Sequence, residues 1–262
     1  MTDTSRPHFE LKKKLDPVTV AIIRAVTRVS DRLKIKFFLA GAMARDLVLA
    51  NVFERPPGRK TSDLDFAFAV ENWDEYERLR SGLLEMPEFS SPTTAIHRLN
   101  YQYAQGLVIV VDLIPFGKLA EGSLIAWPPN QDTVMSVSGF QEAFATAISV
   151  DIDEDCTLLV ASLPGLALLK LLAWKDRHLY DNRDATDFLK ILREYGDAGN
   201  EDRLFDEETE LLEQLGYDTE LAGAMLLGRD AAGIATQETK RFIRDLFADE
   251  KTKEQLLRHM IQ

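Results

Sequence analysis

The sequence predicts a mixed α/β (α+β) fold, in which a mixed β-sheet flanked by helices is followed by a C-terminal helical lobe. Strand and helix patterns alternate over the first part of the chain, and the pattern is helical from Pro164 onward. The chain has 262 residues, 45% of them hydrophobic, which is enough for one large core or two modest ones. We therefore expect a sheet domain over 1–163 and a helical subdomain over 164–262.

The first elements are a helix, a strand and a second helix. Asp16 caps the first helix, Pro17 occupies its first turn, and apolar residues follow at helical spacing. A short apolar strand over 35–40 ends at Gly41, and the residues over 42–49 have helical composition. The chain is therefore expected to pass from strand to helix through a tight turn at Gly41.

Acidic residues mark two of the strands that follow. Asp63 and Asp65 open an apolar strand over 63–70, and Asp112 lies within a strand over 107–114. The remaining predicted strands cover 95–102, 144–152 and 157–163, and the remaining helices cover 72–85, 164–177, 183–195, 207–215, 218–228 and 237–249.

Asp63 and Asp65 are candidate metal ligands. Side chains alternate along a strand, so these two carboxylates point to the same face, where their charges repel each other. A divalent cation removes that repulsion, and magnesium prefers oxygen ligands. The alternative is a pair of solvated acids at the start of a strand.

Asp112 and the Gly41 turn extend this candidate site. A carboxylate in an apolar strand needs a partner, so Asp112 is either hydrogen-bonded at an edge or turn, or a third carboxylate beside the first pair. At Gly41-Ala42 the backbone N–H groups can meet a phosphate, and Arg45 could add positive charge. The alternative is an ordinary turn with Arg45 on the surface.

The order of these elements resembles the nucleotidyltransferase superfamily, which includes DNA polymerase beta and kanamycin nucleotidyltransferase. The matching stretches are 38–45, 61–66 and 111–114. Within the superfamily, the sequence is most similar to the AbiEii-type group of bacterial abortive-infection and toxin–antitoxin systems, and to predicted nucleotidyltransferases without an assigned substrate. Two departures from the usual pattern are Gly41-Ala42 in place of Gly-Ser or Gly-Gly, and a long loop before Asp63.

The resemblance continues into the helical part, where a lysine in one helix, Lys170, is followed by an Arg-Asp-x-x-Asp helix containing Asp184 and Asp187. Lys170 would approach a triphosphate, and the two aspartates would orient Lys170 or Arg183 by ion pairing. The alternative is a salt-bridged helix pair that binds no ligand.

The resemblance implies a role for each matching residue. The implied catalytic residues are Asp63, Asp65, Asp112, Lys170 and Asp184; the implied metal ligands are Asp63, Asp65 and Asp112; and the implied nucleotide contacts are Gly41, Ala42, Arg45, Ser62 and Lys170.

The implied activity is magnesium-dependent transfer of a nucleoside monophosphate from a nucleoside triphosphate, such as ATP, to a hydroxyl acceptor, with two metal ions at the site. Three acceptors stay open: transfer RNA, protein and a small molecule. A cognate antitoxin is an implied partner. The alternative is a non-catalytic nucleotide-binding or partner-binding protein that retains the fold.

Composition limits the partners and the compartment. The formal net charge is −12, so a nucleic acid would need a local basic patch for binding. No apolar stretch is long enough to span a bilayer, and the first seven residues lack the apolar segment of a signal peptide, so we expect a cytoplasmic protein. The single cysteine, Cys156, is expected to be a small buried side chain.

Overall fold

The computed structural model describes residues 6–59, 61–92 and 95–261. Most of the N-terminal segment for which we expected no signal peptide lies outside these residues. The strands of the described chain are β1 (His8–Glu10), β2 (Lys36–Ala40), β3 (Asp63–Ala69), β4 (Phe89–Ser90), β5 (Arg98–Ala104), β6 (Leu107–Phe116), β7 (Leu124–Ala126), β8 (Val134–Ser136), β9 (Ile148–Asp153) and β10 (Cys156–Val160).

The helices of the same residues are α1 (Pro17–Leu33), α2 (Gly41–Asp46), α3 (Trp73–Leu84), α4 (Phe140–Ala145), α5 (Leu163–Arg177), α6 (Arg183–Glu194), α7 (Glu201–Asp206), α8 (Thr209–Gln214), α9 (Thr219–Ile234), α10 (Gln237–Ala248) and α11 (Glu250–Met260). A π-helical segment, Leu47–Val52, continues α2. None of the helices in the described ranges is long and apolar enough to cross a membrane.

The predicted fold class is confirmed. Within the described residues, eight strands form one mixed sheet in the order β1-β9-β10-β2-β3-β6-β5-β4, and β7 pairs with β8 in a separate hairpin. Strand β3 lies between β2, to which it is antiparallel, and β6, to which it is parallel. Most of its apolar side chains are buried, and Phe66 and Phe68 are fully so, as expected of an interior strand. The strand that begins with the acidic pair is therefore central.

Local signals explain where several helices begin. The Asp16 carboxylate caps α1 by accepting hydrogen bonds from the backbone N–H groups of Val18 and Thr19, at 3.1 and 2.9 Å. Ser162 caps α5 by accepting a hydrogen bond from the N–H of Gly165, at 3.3 Å. Because Ser162 begins a helix, the strand predicted over 157–163 ends earlier, at Val160.

The prediction of a strand over 144–152 was wrong for its first residues. Residues Phe140–Ala145 form α4, and β9 begins only at Ile148. In the helical conformation Phe140 and Phe144 lie on one face and both contact Phe38, at ring-centroid distances of 6.3 and 5.9 Å. Tertiary packing on Phe38 therefore decides the conformation of this segment.

Four short elements, β1, β4, α7 and the β7–β8 hairpin, and the last helix, α11, were not predicted. The helix predicted over 218–228 extends to Ile234. The helices after Pro164 share one hydrophobic cluster with the sheet, which includes Phe38, Trp174 and Leu226. The division into 1–163 and 164–262 stays a prediction. Cys156 is buried, as expected.

Candidate active site

Three aspartates converge where β3 and β6 run side by side. The two strands are parallel, and the Cα atoms of Asp65 and Asp112 are direct partners in the register. Asp63 lies two residues before Asp65, so its side chain emerges on the same face of β3. One oxygen from each of the three carboxylates lies within 4.8 Å of the other two. The structure thus brings Asp112 beside the acidic pair.

Asp112 is held in place by Arg98 of the neighbouring strand β5. The guanidinium donates from Nε and Nη2 to the two carboxylate oxygens, at 2.8 and 2.7 Å. Asp112 is buried, and this forked ion pair supplies the partner that a buried carboxylate needs. The same hydrogen bond is the main reason that the pKa of Arg98 is raised. Sequence reasoning missed Arg98, although pairing β5 with β6 through their turn would have placed it opposite Asp112.

Burial and neighbouring negative charges disfavour the ionised form of Asp65. Its pKa is raised from 3.8 to about 6, first by burial and then by the negative charges of Asp63 and Asp112; Lys170 and Arg177 oppose the rise. Asp63 accepts a hydrogen bond from the hydroxyl of Thr61. The repulsion between Asp63 and Asp65 that the sequence predicts is therefore present in the folded chain.

Gly41 lies directly against this carboxylate. Its φ is +69°, and a Cβ built at this position would overlap Oδ2 of Asp65. The position therefore needs glycine for two reasons: the left-handed backbone conformation and the closeness of Asp65. Gly41 and Ala42 both line the cavity above the aspartates.

We expect Asp65→Asn to stabilise the metal-free protein, because the amide removes a charge that the fold disfavours. The folded pKa of Asp65 lies above its unfolded value, so the wild type loses stability as the pH rises through the range between them, whereas asparagine does not titrate. The gain should be near zero below about pH 3 and should reach at most about 3 kcal/mol above about pH 7. Urea denaturation in the presence of EDTA measures it, with the exposed Asp153→Asn as control. A gain that does not change with pH would contradict the expectation.

Lys170 lies at the centre of a buried ion-pair network between α5 and α6. Its ammonium contacts Asp184 Oδ1 at 3.0 Å and Asp187 Oδ2 at 2.8 Å. Arg177 reaches the other oxygen of Asp184. The two aspartates therefore do orient Lys170 by ion pairing, while Arg183 instead pairs with Asp181.

Asp187 joins this network to the first helix of the site. It accepts two hydrogen bonds from Arg59, each at 3.0 Å, and one from Arg45. Burial acts to raise the pKa of Asp187, but the positive charges of Lys170 and Arg45 outweigh it and hold the pKa below its usual value. One buried carboxylate thus holds three cations from different parts of the chain.

Arg45 and Ser62 do not line the cavity. The Arg45 side chain is 1% exposed and is enclosed by Asp46, Asp187 and the carbonyl of Arg59. The sequence suggested that Arg45 could add positive charge toward a phosphate, but its side chain does not face the cavity. Ser62 is exposed, and its carbonyl accepts a hydrogen bond from Val110 at 3.4 Å.

The converging residues enclose a cavity of about 640 Å³. Its lining includes the three aspartates, Gly41, Ala42, Lys170 and Asp184 among the residues singled out from sequence. It also includes residues that sequence analysis did not assign to the site: Arg59, Arg98, Asp176, Tyr180 and part of the β7–β8 hairpin. Arg59 gave no sequence signal of its own, because its carboxylate partner, Asp187, lies 128 positions away in the chain.

The donor set fits magnesium. Magnesium is bound by carboxylate oxygens together with phosphate oxygens and water, and three carboxylates within 4.8 Å of one another can supply the protein's share. Burial is the main cause of the raised pKa of Asp65, and the negative charges of Asp63 and Asp112 add to it. A divalent cation would relieve the repulsion among the three carboxylates.

Comparison with known proteins assigns the arrangement to a class. Carboxylates on adjacent strands beside a glycine turn suit metal-assisted chemistry on a phosphate chain, and the class indicated is the nucleotidyltransferases. Residues 24–259 match the model of the family described as nucleotidyl transferase AbiEii toxin, type IV toxin–antitoxin system. Because the match covers most of the chain, the protein belongs to this family.

Solved structures show more distant similarity. An antigenic nucleotidyltransferase-like protein from Paracoccidioides brasiliensis is 16% identical, with a TM-score of 0.46 and coverage of 77% of this chain and 92% of that one. The antibiotic-resistance factor ANT(2'')-Ia is 14% identical, with a TM-score of 0.40 and coverage of 84% and 96%. The Thermotoga maritima CCA-adding enzyme complexed with tRNA is 13% identical, with a TM-score of 0.37 and coverage of 91% and 59%. No curated protein matches the sequence significantly.

Proposed function

We propose that the protein is a magnesium-dependent enzyme that transfers a nucleoside monophosphate from a nucleoside triphosphate to a hydroxyl group of an acceptor, with pyrophosphate as the leaving group. The observation that carries this proposal is the convergence of Asp63, Asp65 and Asp112 in a cavity that also contains Lys170. The carboxylates suit a metal ion, and the ammonium suits the phosphates that the metal would accompany. Membership of the family supports the same chemistry.

Asp63, Asp65 and Asp112 would hold the magnesium, and two metal ions bound there would stabilise the attacking and leaving oxygens of the transfer. Asp112 suits a fixed ligand better than a proton acceptor, because both of its oxygens already accept hydrogen bonds from Arg98. Arg98 is then a positioning residue, which keeps the Asp112 carboxylate turned toward the pair on β3.

Lys170 and the Gly41 turn would bind the phosphates. An ammonium group has three N–H donors, and the contacts with Asp184 and Asp187 use two of them, which leaves one for a phosphate oxygen. The backbone N–H groups of Gly41 and Ala42 would contribute further donors at the cavity wall. Asp184, placed in the site by sequence reasoning, would act through Lys170 and Arg177 as a positioning residue. Arg45 would act in the same indirect way through Asp187.

Transfer RNA is the acceptor that we propose to test first, because the family is one of toxins in toxin–antitoxin systems. Protein and small molecules are the competing acceptors, since the net charge of −12 does not attract a polyanion over the whole surface. A cognate antitoxin and a cytoplasmic location also belong to this proposal.

The test is a label-transfer assay. The purified protein is incubated with magnesium, each labelled nucleoside triphosphate in turn, and transfer RNA, total protein or a small-molecule extract. We expect magnesium-dependent label in one acceptor fraction, and none with EDTA or with the Asp63→Asn variant prepared in parallel. Growth arrest on expression that is lost in Asp65→Ala would support the toxin role. Absence of both label transfer and metal-dependent triphosphate binding would contradict the proposal.

One observation keeps a second function open. The usual Gly-Ser or Gly-Gly is Gly41-Ala42 in this chain, so a hydroxyl that could touch a phosphate is absent from that position. A non-catalytic nucleotide-binding or partner-binding protein with this fold would bind the triphosphate without turnover. The same assay, with triphosphate binding measured alongside, separates the two functions.

A further inference from the structure

Tyr180 is an exposed aromatic residue at the mouth of the cavity. It lies in the turn between α5 and α6, it is 78% exposed, and it is one of the residues that line the cavity. Within the described part of the chain, the ring of Tyr180 stacks on no other aromatic ring and its hydroxyl makes no hydrogen bond. Tyrosine rings left open to solvent at a cavity are suited to contact a ligand, because they offer a large apolar face at a low cost in conformational entropy.

Two guanidinium groups flank this ring in the sequence. Arg177 and Arg183 lie three residues before and after Tyr180, and both also line the cavity. Their side chains are 48% and 60% exposed, so each can reach a ligand while paired with Asp184 or Asp181. An aromatic face between basic side chains is the combination with which proteins hold nucleotides, the ring against the base and the cations near the phosphates.

A second apolar surface lines the same cavity. Leu124 and Val134, on the β7–β8 hairpin, are 52% and 57% exposed and belong to its lining. The lining therefore combines apolar side chains of the α5–α6 turn and of the β7–β8 hairpin with the charged residues on β3, β6 and α5. A nucleotide has matching parts, since its base has two apolar faces and its phosphates carry the charge.

We propose that Tyr180 stacks on a nucleobase at the mouth of the cavity. The base belongs either to the triphosphate or to a nucleotide of the acceptor, and both present the same flat aromatic surface. This inference rests on the proposed function, because it assumes that the phosphates bind beside the three aspartates. It adds a binding residue for the base, which the aspartates and Lys170 do not provide.

The test compares ligands with and without a base. Affinities for a labelled nucleoside triphosphate, for inorganic tripolyphosphate and for a fluorescent single-stranded oligoribonucleotide are measured in the presence of magnesium. The proteins are the wild type, Tyr180→Ala, Tyr180→Phe and Leu179→Ala. Leu179 is the matched control, because it is the adjacent residue and is 81% exposed. Thermal unfolding confirms that all four proteins are folded.

We expect Tyr180→Ala to weaken binding of a base-containing ligand about 10-fold or more, while Tyr180→Phe stays within about 2-fold of the wild type because stacking does not need the hydroxyl. Binding of tripolyphosphate should be unchanged in every variant, and Leu179→Ala should behave as the wild type. A loss with the nucleoside triphosphate assigns the base to that substrate, and a loss with the oligoribonucleotide alone assigns it to the acceptor.

Two outcomes would overturn the inference while leaving the proposed function standing. One is unchanged affinity of Tyr180→Ala for both base-containing ligands, and the other is an equal loss of affinity for tripolyphosphate. A wild-type protein that binds neither the nucleoside triphosphate nor tripolyphosphate would instead contradict the proposed function, and the inference about Tyr180 with it.

Discussion

Gly41→Ala is expected to lower nucleotidyl transfer by at least about 100-fold, because displacing a site group by about 1 Å has effects of this size. A methyl group at this position would overlap Oδ2 of Asp65, so the carboxylate would have to shift, and the negative charges of Asp63 and Asp112 oppose a shift toward either of them. The displaced carboxylate could no longer share a metal ion with the other two. The initial rate of label transfer at saturating magnesium measures the effect.

Alanine at Gly41 also forces an L-residue into a left-handed backbone conformation, which costs about 1–2 kcal/mol by itself. Gly216→Ala is the matched control. Its φ of +62° is close to the +69° of Gly41, and a Cβ there would meet no atom within 4 Å. Both variants should lose the stability that the left-handed backbone costs, Gly41→Ala should lose more because its methyl group also overlaps Asp65, and only Gly41→Ala should lose activity. Equal rates in both would show that the closeness of Gly41 to Asp65 has no role in the reaction.

Asp187→Ala is expected to destabilise the protein by about 3–5 kcal/mol, the range measured when one partner of a buried ion pair is removed. Asp187 is 1% exposed, and it contacts Lys170, Arg45 and Arg59. Without its carboxylate, Arg45 would keep Asp46 as a partner and Lys170 would keep Asp184, but the network would have one negative charge fewer for the same cations. Urea denaturation gives the change in the free energy of unfolding.

The control for this prediction is Asp153→Ala. Asp153 pairs with Arg24 at 2.8 Å, but both side chains are nearly half exposed, so the loss should be much smaller than that of Asp187→Ala. If the two variants lost the same stability, the network around Asp187 would be no stronger than a surface ion pair. Asp187→Asn should fall between the two, because its amide oxygen keeps an acceptor for Arg59 while the charge is removed.

Local sequence patterns were sufficient to predict the elements that position Gly41, Asp63 and Asp65. The cap at Asp16, the break at Gly41 and the alternation of Asp63 and Asp65 depend on residues a few positions apart, so their physical causes can be seen in the sequence. The third carboxylate could also be recognised in the sequence, because Asp112 interrupts an apolar run and a charge in such a strand needs a partner. The alternative, an acid that is only hydrogen-bonded at an edge or turn, could not be separated from this in the sequence. Asp112 does accept hydrogen bonds from Arg98, and the register of β3 and β6 also places it beside the acidic pair.

Other parts of the site depend on contacts between distant residues. Arg59 is 128 positions from Asp187, and nothing near Arg59 in the sequence indicates that pairing. Arg45 fits a phosphate contact equally well until the structure shows it enclosed by Asp46 and Asp187. The segment over 144–152 had the composition of a strand, and packing of Phe140 and Phe144 against Phe38 made its first residues helical.

The sequence by itself thus determined the fold class, the order of the elements and the identity of the three carboxylates. Tertiary structure alone decided that these carboxylates converge, that Arg98 pairs with Asp112, and that Arg45 is enclosed in the core and does not line the cavity. The physical reason is that propensity, capping and alternation act over a few residues, whereas charge pairing and burial act between any side chains that the fold brings together.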